Sequence, residues 1–141
     1  MDIFERIKKF DLPFGEYAVF GSSLLEVFGI RKAADLDIIV TPELFEKLKN
    51  DGWEEIPANG FTILRKGEAD VTTVQDKPTD GTYCPDRMKL IKNAVVIKGL
   101  PFVRIEEVIA CKTDYNREKD RLDISAIQKY IEGKEKNNIY E

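Results

Sequence analysis

The chain has 141 residues, 43% hydrophobic and 34% charged, with a net charge of −4, two cysteines and no histidine. These figures fit one folded domain and argue against disorder, against a general duplex-binding surface, which needs dense basic charge, and against any histidine-dependent nucleophile triad. Cys84 and Cys111 without an imidazole leave too few soft ligands for a structural zinc. Met1-Asp2-Ile3 leads straight into an amphipathic pattern with no apolar leader, and no run nears the ~20 apolar residues of a bilayer span. The expectation is a cytoplasmic, reducing compartment, both thiols free, and no membrane partner.

In chain order, Ile3, Phe4, Ile7 and Phe10 recur at helical spacing, so residues 2 to 10 predict a short helix stopped by Pro13. Tyr17 to Phe20 is an apolar strand. It breaks at Gly21-Ser22-Ser23 into a second helix through Leu24, Leu25, Val27 and Phe28, with Ser23-x-x-Glu26 matching a capping box and Gly29 as terminator. Arg31 to Ala34 connect to a strand over Leu36 to Val40, and Thr41-Pro42-Glu43 opens a third helix ending near Asn50-Asp51-Gly52. Trp53 to Ile56 and Phe61 to Arg65 predict a hairpin about Pro57-Ala58-Asn59-Gly60. Glu68 to Val74 alternates as a half-buried strand, with Glu68, Asp70 and Thr72 on one face.

Residues 75 to 83 read as a polar loop and Pro85 to Lys92 as a short helix. Ala94 to Ile97 and Phe102 to Arg104 read as extended pieces. From Ile105 a helix carries Ile105, Val108 and Ile109 inward, and Lys112 falls on that same side. A last helix carries Ile124, Ile127 and Ile131, with Asp120 on their face. An inward lysine and an inward aspartate need partners, and a buried Lys112–Asp120 pair is the simplest structural answer. Residues 1–133 form the expected single domain, and 134–141 a frayed tail.

Chemistry concentrates between Tyr17 and Thr41. Asp35 and Asp37, two apart at a strand start, leave one face about 7 Å apart at ~3.3 Å rise per residue, an arrangement that invites a cation between them. Magnesium suits it, being a hard ion held by one or two carboxylates and completed by water and phosphate oxygens. Solvated strand-end acids are the bland reading. Gly21-Ser22-Ser23 offers backbone N–H groups and hydroxyls at a helix start, where an anion such as a phosphate is favoured; capping alone would explain Ser23. A third acid should reach the same point. Asp70, in mid-strand where aspartate is unfavourable, is preferred to Glu68.

Gly21-Ser22, then Asp35-x-Asp37 on the next strand, then an acid on a later strand together resemble the nucleotidyltransferase superfamily whose catalytic fold is shared with DNA polymerase beta. The resemblance spans roughly residues 2 to 130 and is most specific over 18 to 41. It implies an α+β fold, a small mixed β-sheet with flanking helices. It implies that Gly21 and Ser22 hold a nucleoside triphosphate, that Asp35 and Asp37 bind Mg2+, with Mn2+ as a substitute, and that Asp70 supports a second metal or activates the acceptor hydroxyl. The pattern Lys112…Arg117-x-Lys119-Asp120…Asp123 resembles the closing helices of minimal bacterial or toxin-like nucleotidyltransferases, where a lysine faces the nucleotide phosphates. Arg31 and Lys32 read as an exposed loop, with steering of a triphosphate as the alternative.

The expected activity is magnesium-dependent transfer of a nucleoside monophosphate from a nucleoside triphosphate, ATP among them, to an acceptor hydroxyl on a small molecule, a protein or an RNA, with a partner chain or homodimer completing the site. The alternative is an inactive nucleotide-binding or protein-interaction module of the same fold. A phosphohydrolase or glycosyltransferase reading of D-x-D ranks last, because there the apolar strand precedes the acids and here Ile38-Ile39-Val40 follows them.

Overall fold

Near-continuous apolar runs at Tyr17–Phe20 (β1) and Leu36–Val40 (β2) mark strands covered on both faces, and they lie at the middle of the sheet. The computed structural model describes residues 2–58, 60–73, 83, 85–134 and 139–140. Around β1 and β2 the elements are α1 (Ile3–Lys8), α2 (Ser23–Val27), α3 (Pro42–Asn50), β3 (Glu54–Ala58), β4 (Phe61–Lys66), β5 (Ala69–Thr73), α4 (Arg87–Lys92), β6 (Val95–Ile97), β7 (Leu100–Phe102), α5 (Ile105–Tyr115) and α6 (Glu118–Glu132).

The seven strands run β3-β4-β5-β2-β1-β7-β6; β2 is parallel to β5 and β1 to β7, the other neighbours being antiparallel. The strand period of two then separates the faces. Leu36, Ile38, Val40, Leu64, Ala69 and Val71 join residues of α1, α2, α3, α5 and α6 in the main core. Ala18 and Ile39 face the other way, toward Leu90 and Ile91 of α4. The odd-numbered residues of β4 and β2 and the even-numbered ones of β5 share that second face, which becomes the floor of the site.

Several local expectations change. α1 is shorter than 2–10: Asp2 accepts from the Glu5 N–H at 2.9 Å, and the chain leaves the helix before Asp11, whose φ is 49°. Ser22, not Ser23, precedes α2, and the capping box is absent. The Glu26 carboxylate instead accepts from Arg6 Nη1 at 2.8 Å and the Ala33 N–H at 2.9 Å, a charge-assisted pairing that outcompetes a neutral cap. Ser23 Oγ is left buried with no hydrogen-bond partner among the described residues. Pro57 and Ala58 belong to β3 rather than to a turn. Glu68 sits in the turn before β5, so it does not share the strand face of Asp70 and Thr72. Ala94–Ile97 and Phe102–Arg104 resolve into a hairpin about Lys98-Gly99 that adds β7 beside β1. The predicted loop over 75–83 lies outside the described residues except for Tyr83.

The tail expectation fails for two residues. Ile139 and Tyr140 pack against the core, and Tyr140 Oη accepts from the Ile105 N–H at 3.1 Å, satisfying an otherwise orphaned donor at the start of α5. Among the described residues no helix is long and apolar enough to cross a membrane.

Candidate active site

The centre of the site is a row of side chains laid across the sheet by strand register. Phe20 on β1 opposes Asp37 on β2, Asp37 opposes Asp70 on β5, and Asp70 opposes Arg65 on β4. Residues directly opposed on neighbouring strands have Cβ atoms about 5 Å apart, so Asp37 and Asp70 are two like charges in mutual contact range. Asp37 keeps an exposed surface toward the cavity, yet protein atoms crowd it on most sides. That burial first, and then the charges of Asp70 and Asp35, push its carboxyl up to about 6, with Lys112 opposing them.

At the end of β1 the chain turns through Gly21 with φ +78°, a left-handed conformation that L side chains rarely adopt. A Cβ at this position would lie 3.5 Å from Asp37 Oδ2. The turn therefore lies against the acid at ordinary contact distance, and it is the left-handed backbone, not lack of room, that calls for glycine. Ser22 follows, with its Oγ accepting from Arg31 Nη2 at 2.9 Å rather than capping α2.

Asp70 lines the cavity but is already engaged: Arg65 Nε and Nη2 donate to its two oxygens at 2.6 and 3.0 Å. Glu68, its competitor in sequence, is turned away to Arg6 and Lys9. Asp35 precedes the first residue of β2, is exposed, and does not line the cavity, though its charge reaches Asp37. Asp35 thus lies just outside the strand ladder that fixes Asp37. Among the described residues no three acid, cysteine or histidine side chains gather into a metal-holding group. The donors that do face one another are all oxygens, and Asp37 is crowded by like charge, a combination that fits a hard dication held through one or two carboxylates.

The opposite wall is cationic and comes from the carboxy-terminal helices. Lys112 is buried, as its helical phase predicts, but its closest acid is Asp123: Nζ donates to Asp123 Oδ2 at 2.9 Å, with Asp120 Oδ1 further off at 3.8 Å. Asp120 is taken by Arg117, whose Nε and backbone N–H both donate to Oδ2, at 2.6 and 3.1 Å, in the capping box of α6. Burial works against ionisation of Asp120, and the Arg117 hydrogen bonds outweigh it and hold the carboxyl below its ordinary value. Arg31, far from a free loop residue, closes on Asp123 with Nε and Nη2, both at 2.8 Å. That guanidinium, with Lys112, pushes the Asp123 carboxyl down to about 2 against the effect of burial.

Between floor and wall lies a cavity of about 470 Å³, within the range of small-molecule sites. Asp37, Asp70, Gly21 and Ser22 line it from the sheet and its turn, Lys112, Arg117 and Lys119 from the carboxy-terminal helices together with Asp120 and Asp123, and Arg31 bridges Ser22 and Asp123 between them, with Phe61 and Ile63 of β4 as an apolar flank. Cys111 also reaches it, half-buried and free. Burial pushes its thiol up to about 11, so it is protonated and no nucleophile. Cys84 lies outside the described residues.

Sequence reasoning passed over Arg65, which had a readable signal: a tight turn at Gly67-Glu68 pairs residues 66 with 69 and 65 with 70. It named Arg31 and Asp123 but not their pairing, which had no signal because 92 residues separate them.

One solved structure, ANT(2")-Ia in complex with adenylyl-2"-tobramycin, is similar to nearly the whole chain, with a TM-score of 0.50 and 12% identity over 98% of this chain and 88% of that one. At that identity the likeness is one of fold: the chain has an α+β, nucleotidyltransferase-like fold, distant in sequence from that neighbour. No protein-family model matches the sequence, and comparison with curated proteins gives no match either.

Proposed function

We propose that the chain is a magnesium-dependent nucleotidyltransferase that moves a nucleoside monophosphate from a nucleoside triphosphate to an acceptor hydroxyl. The observation that carries this reading is the separation of charge across one cavity. Carboxylates sit on the sheet beneath a left-handed glycine turn, and Lys112, Arg117 and Lys119 face them from the carboxy-terminal helices with Arg31 beside the turn, four cations that outnumber the two acids paired with them, Asp120 and Asp123. A triphosphate carries its charge in a line, and such a cavity offers it cations on one side and, on the other, acids able to hold a metal. Asp37, with Asp35 beside it, would hold Mg2+, which supplies charge neutralisation at the phosphates.

The rest falls to the chain's own groups. The Gly21–Ser22 turn, Arg31 and Lys112 bind and orient the triphosphate, a contribution made chiefly through positioning and fixed charge. The new bond joins the acceptor oxygen to the α-phosphorus as the bond to pyrophosphate breaks, and the hydroxyl proton must leave. Asp70 is the acid on hand to take it, and doing so requires Arg65 to release one of its oxygens. The neighbour's complex contains an adenylyl group joined to tobramycin. That supports ATP as the first donor and a small hydroxyl-bearing molecule as the first acceptor to try, ahead of proteins and RNA.

A second reading, nucleotide binding without transfer, is favoured by one observation: both oxygens of Asp70 are occupied by Arg65. The deciding experiment incubates the protein with each labelled nucleoside triphosphate, Mg2+ and small-molecule, protein and RNA acceptors. Release of pyrophosphate that is lost in Asp37→Ala is expected. Nucleotide binding with no release in any combination would establish the second reading, and absence of both binding and release would remove the two together.

A further inference from the structure

Asp123 is placed where no simple helix-packing role requires a charge. Its carboxylate is buried on α6, 7% exposed, and accepts from Arg31 Nε at 2.8 Å, Arg31 Nη2 at 2.8 Å and Lys112 Nζ at 2.9 Å. The helices α5 and α6 are already joined through Val108, Ile105 and Ile127 of the main core. Arg31 goes on to donate to Ser22 Oγ at 2.9 Å, and Ser22 follows the Gly21 that overlies Asp37. An unbroken line of hydrogen bonds therefore runs from the last helix, through Arg31, to the turn at the acid floor, and Lys112 joins it at Asp123.

We infer that Asp123 is a positioning residue for nucleotidyl transfer, holding the Arg31 guanidinium and the Lys112 ammonium in fixed places beside the Gly21–Ser22 turn so that both face the triphosphate. This rests on the transfer reading above. Both oxygens of Asp123 are taken up by these two cations, so it acts through them. Two long, flexible side chains would otherwise sample many rotamers, and catalytic electrostatics depends on donors fixed to within about 0.5 Å.

Two effects of removing the charge oppose each other, and they separate in kinetics. Asp123→Asn makes the wall more positive, so the triphosphate is attracted at least as well as before. It also releases the two cations, and a displacement of about 1 Å at a reacting centre costs up to about a hundredfold in rate. The expected result is kcat down about tenfold or more, with KM for the nucleotide unchanged or lowered. Asp123→Glu, which keeps the charge but moves it by one methylene, should fall between Asp123→Asn and wild type. Glu26→Gln breaks a different ion-paired cluster, away from the cavity, and should lower Tm without lowering kcat.

The assay is pyrophosphate release with the nucleotide and acceptor that sustain it in the wild-type protein, with the folded fraction followed by circular dichroism. A folded Asp123→Asn with kcat within about twofold of wild type, or with its whole loss appearing as raised KM, overturns the inference and leaves the transfer reading standing. Should Asp123→Asn fail to fold, a wild-type kcat in Asp123→Glu overturns it equally. Wild-type protein that releases no pyrophosphate from any nucleotide takes down both.

Discussion

Replacing Asp37 by asparagine should stabilise the metal-free protein while abolishing its chemistry. Burial and the charges of Asp70 and Asp35 raise this carboxyl from an ordinary 3.8 to about 6. Such a displacement corresponds to at most about 3 kcal/mol at ~1.4 kcal/mol per pKa step. Asp37 is open to water within the cavity, and screening reduces the expected gain to about 1 kcal/mol. For a chain of this size that is a rise in Tm of roughly 4 °C.

The sign follows from linkage. A carboxyl whose folded pKa lies above its unfolded one disfavours the folded state wherever it is ionised, so the cost is absent below pH 4, grows between 4 and 6, and is complete above 6. Thermal unfolding in a chelator should therefore show Asp37→Asn more stable than wild type at pH 7.5 and the two equal below pH 4. Added Mg2+ should raise the wild-type Tm and leave the variant unmoved, closing the gap or inverting it. A variant no more stable than wild type at pH 7.5, or one whose advantage persists undiminished at pH 3.5, would refute the picture of a crowded acid awaiting a cation.

Three further outcomes follow from contacts elsewhere. Arg65→Gln frees both oxygens of Asp70 and should tighten Mg2+ binding, read as a lower midpoint in a metal titration of Tm. Asp123, whose folded carboxyl is down at about 2, stabilises the fold above its unfolded pKa near 4 and ceases to do so as pH falls toward 2; Asp123→Asn should thus flatten the acid-unfolding curve over that window. Truncation after residue 138 removes Ile139 and the Tyr140 ring and hydroxyl from the core edge, and should cost about 2 kcal/mol in urea denaturation.

What could be read from the chain in advance divides by sequence separation. β1 and β2 emerge to the residue because central strands are dense apolar runs, and α3 emerges because Thr41, accepting from the Leu44 N–H, and Pro42 form a local start signal. The position of Gly21 over Asp37 is legible for the same reason, a strand–turn–helix–strand unit within a span of about two dozen residues. The β6–β7 hairpin was not, since strands of three residues carry little periodicity and Lys98 adopts φ 49° beside Gly99. Nor was the capping arrangement at α2, where a guanidinium arriving from α1 decides which way Glu26 turns.

The case of Lys112 shows where local reading stops. Helical phase alone puts its ammonium inside, and an inward cation must find an acid. Two acids on α6 were available, three residues apart and both facing α5. Which one wins depends on Arg117 and Arg31, neither of which belongs to the face under comparison. Arg117 engages Asp120 through its side chain and its backbone N–H, closing the first turn of α6. Asp123 is thereby left for Lys112, and Arg31 arrives across 92 residues to share it. The same contact fixes Arg31 against Ser22, so the helix-start chemistry of α6 determines which cations stand opposite the acid floor. Arg117→Ala should accordingly act on the site at a distance: with Asp120 released, the Lys112 ammonium is drawn toward it and away from Asp123. The expected outcome is a lower kcat with little change in nucleotide KM. A KM that rises in proportion, with kcat intact, would instead mean that Arg117 contacts the triphosphate itself.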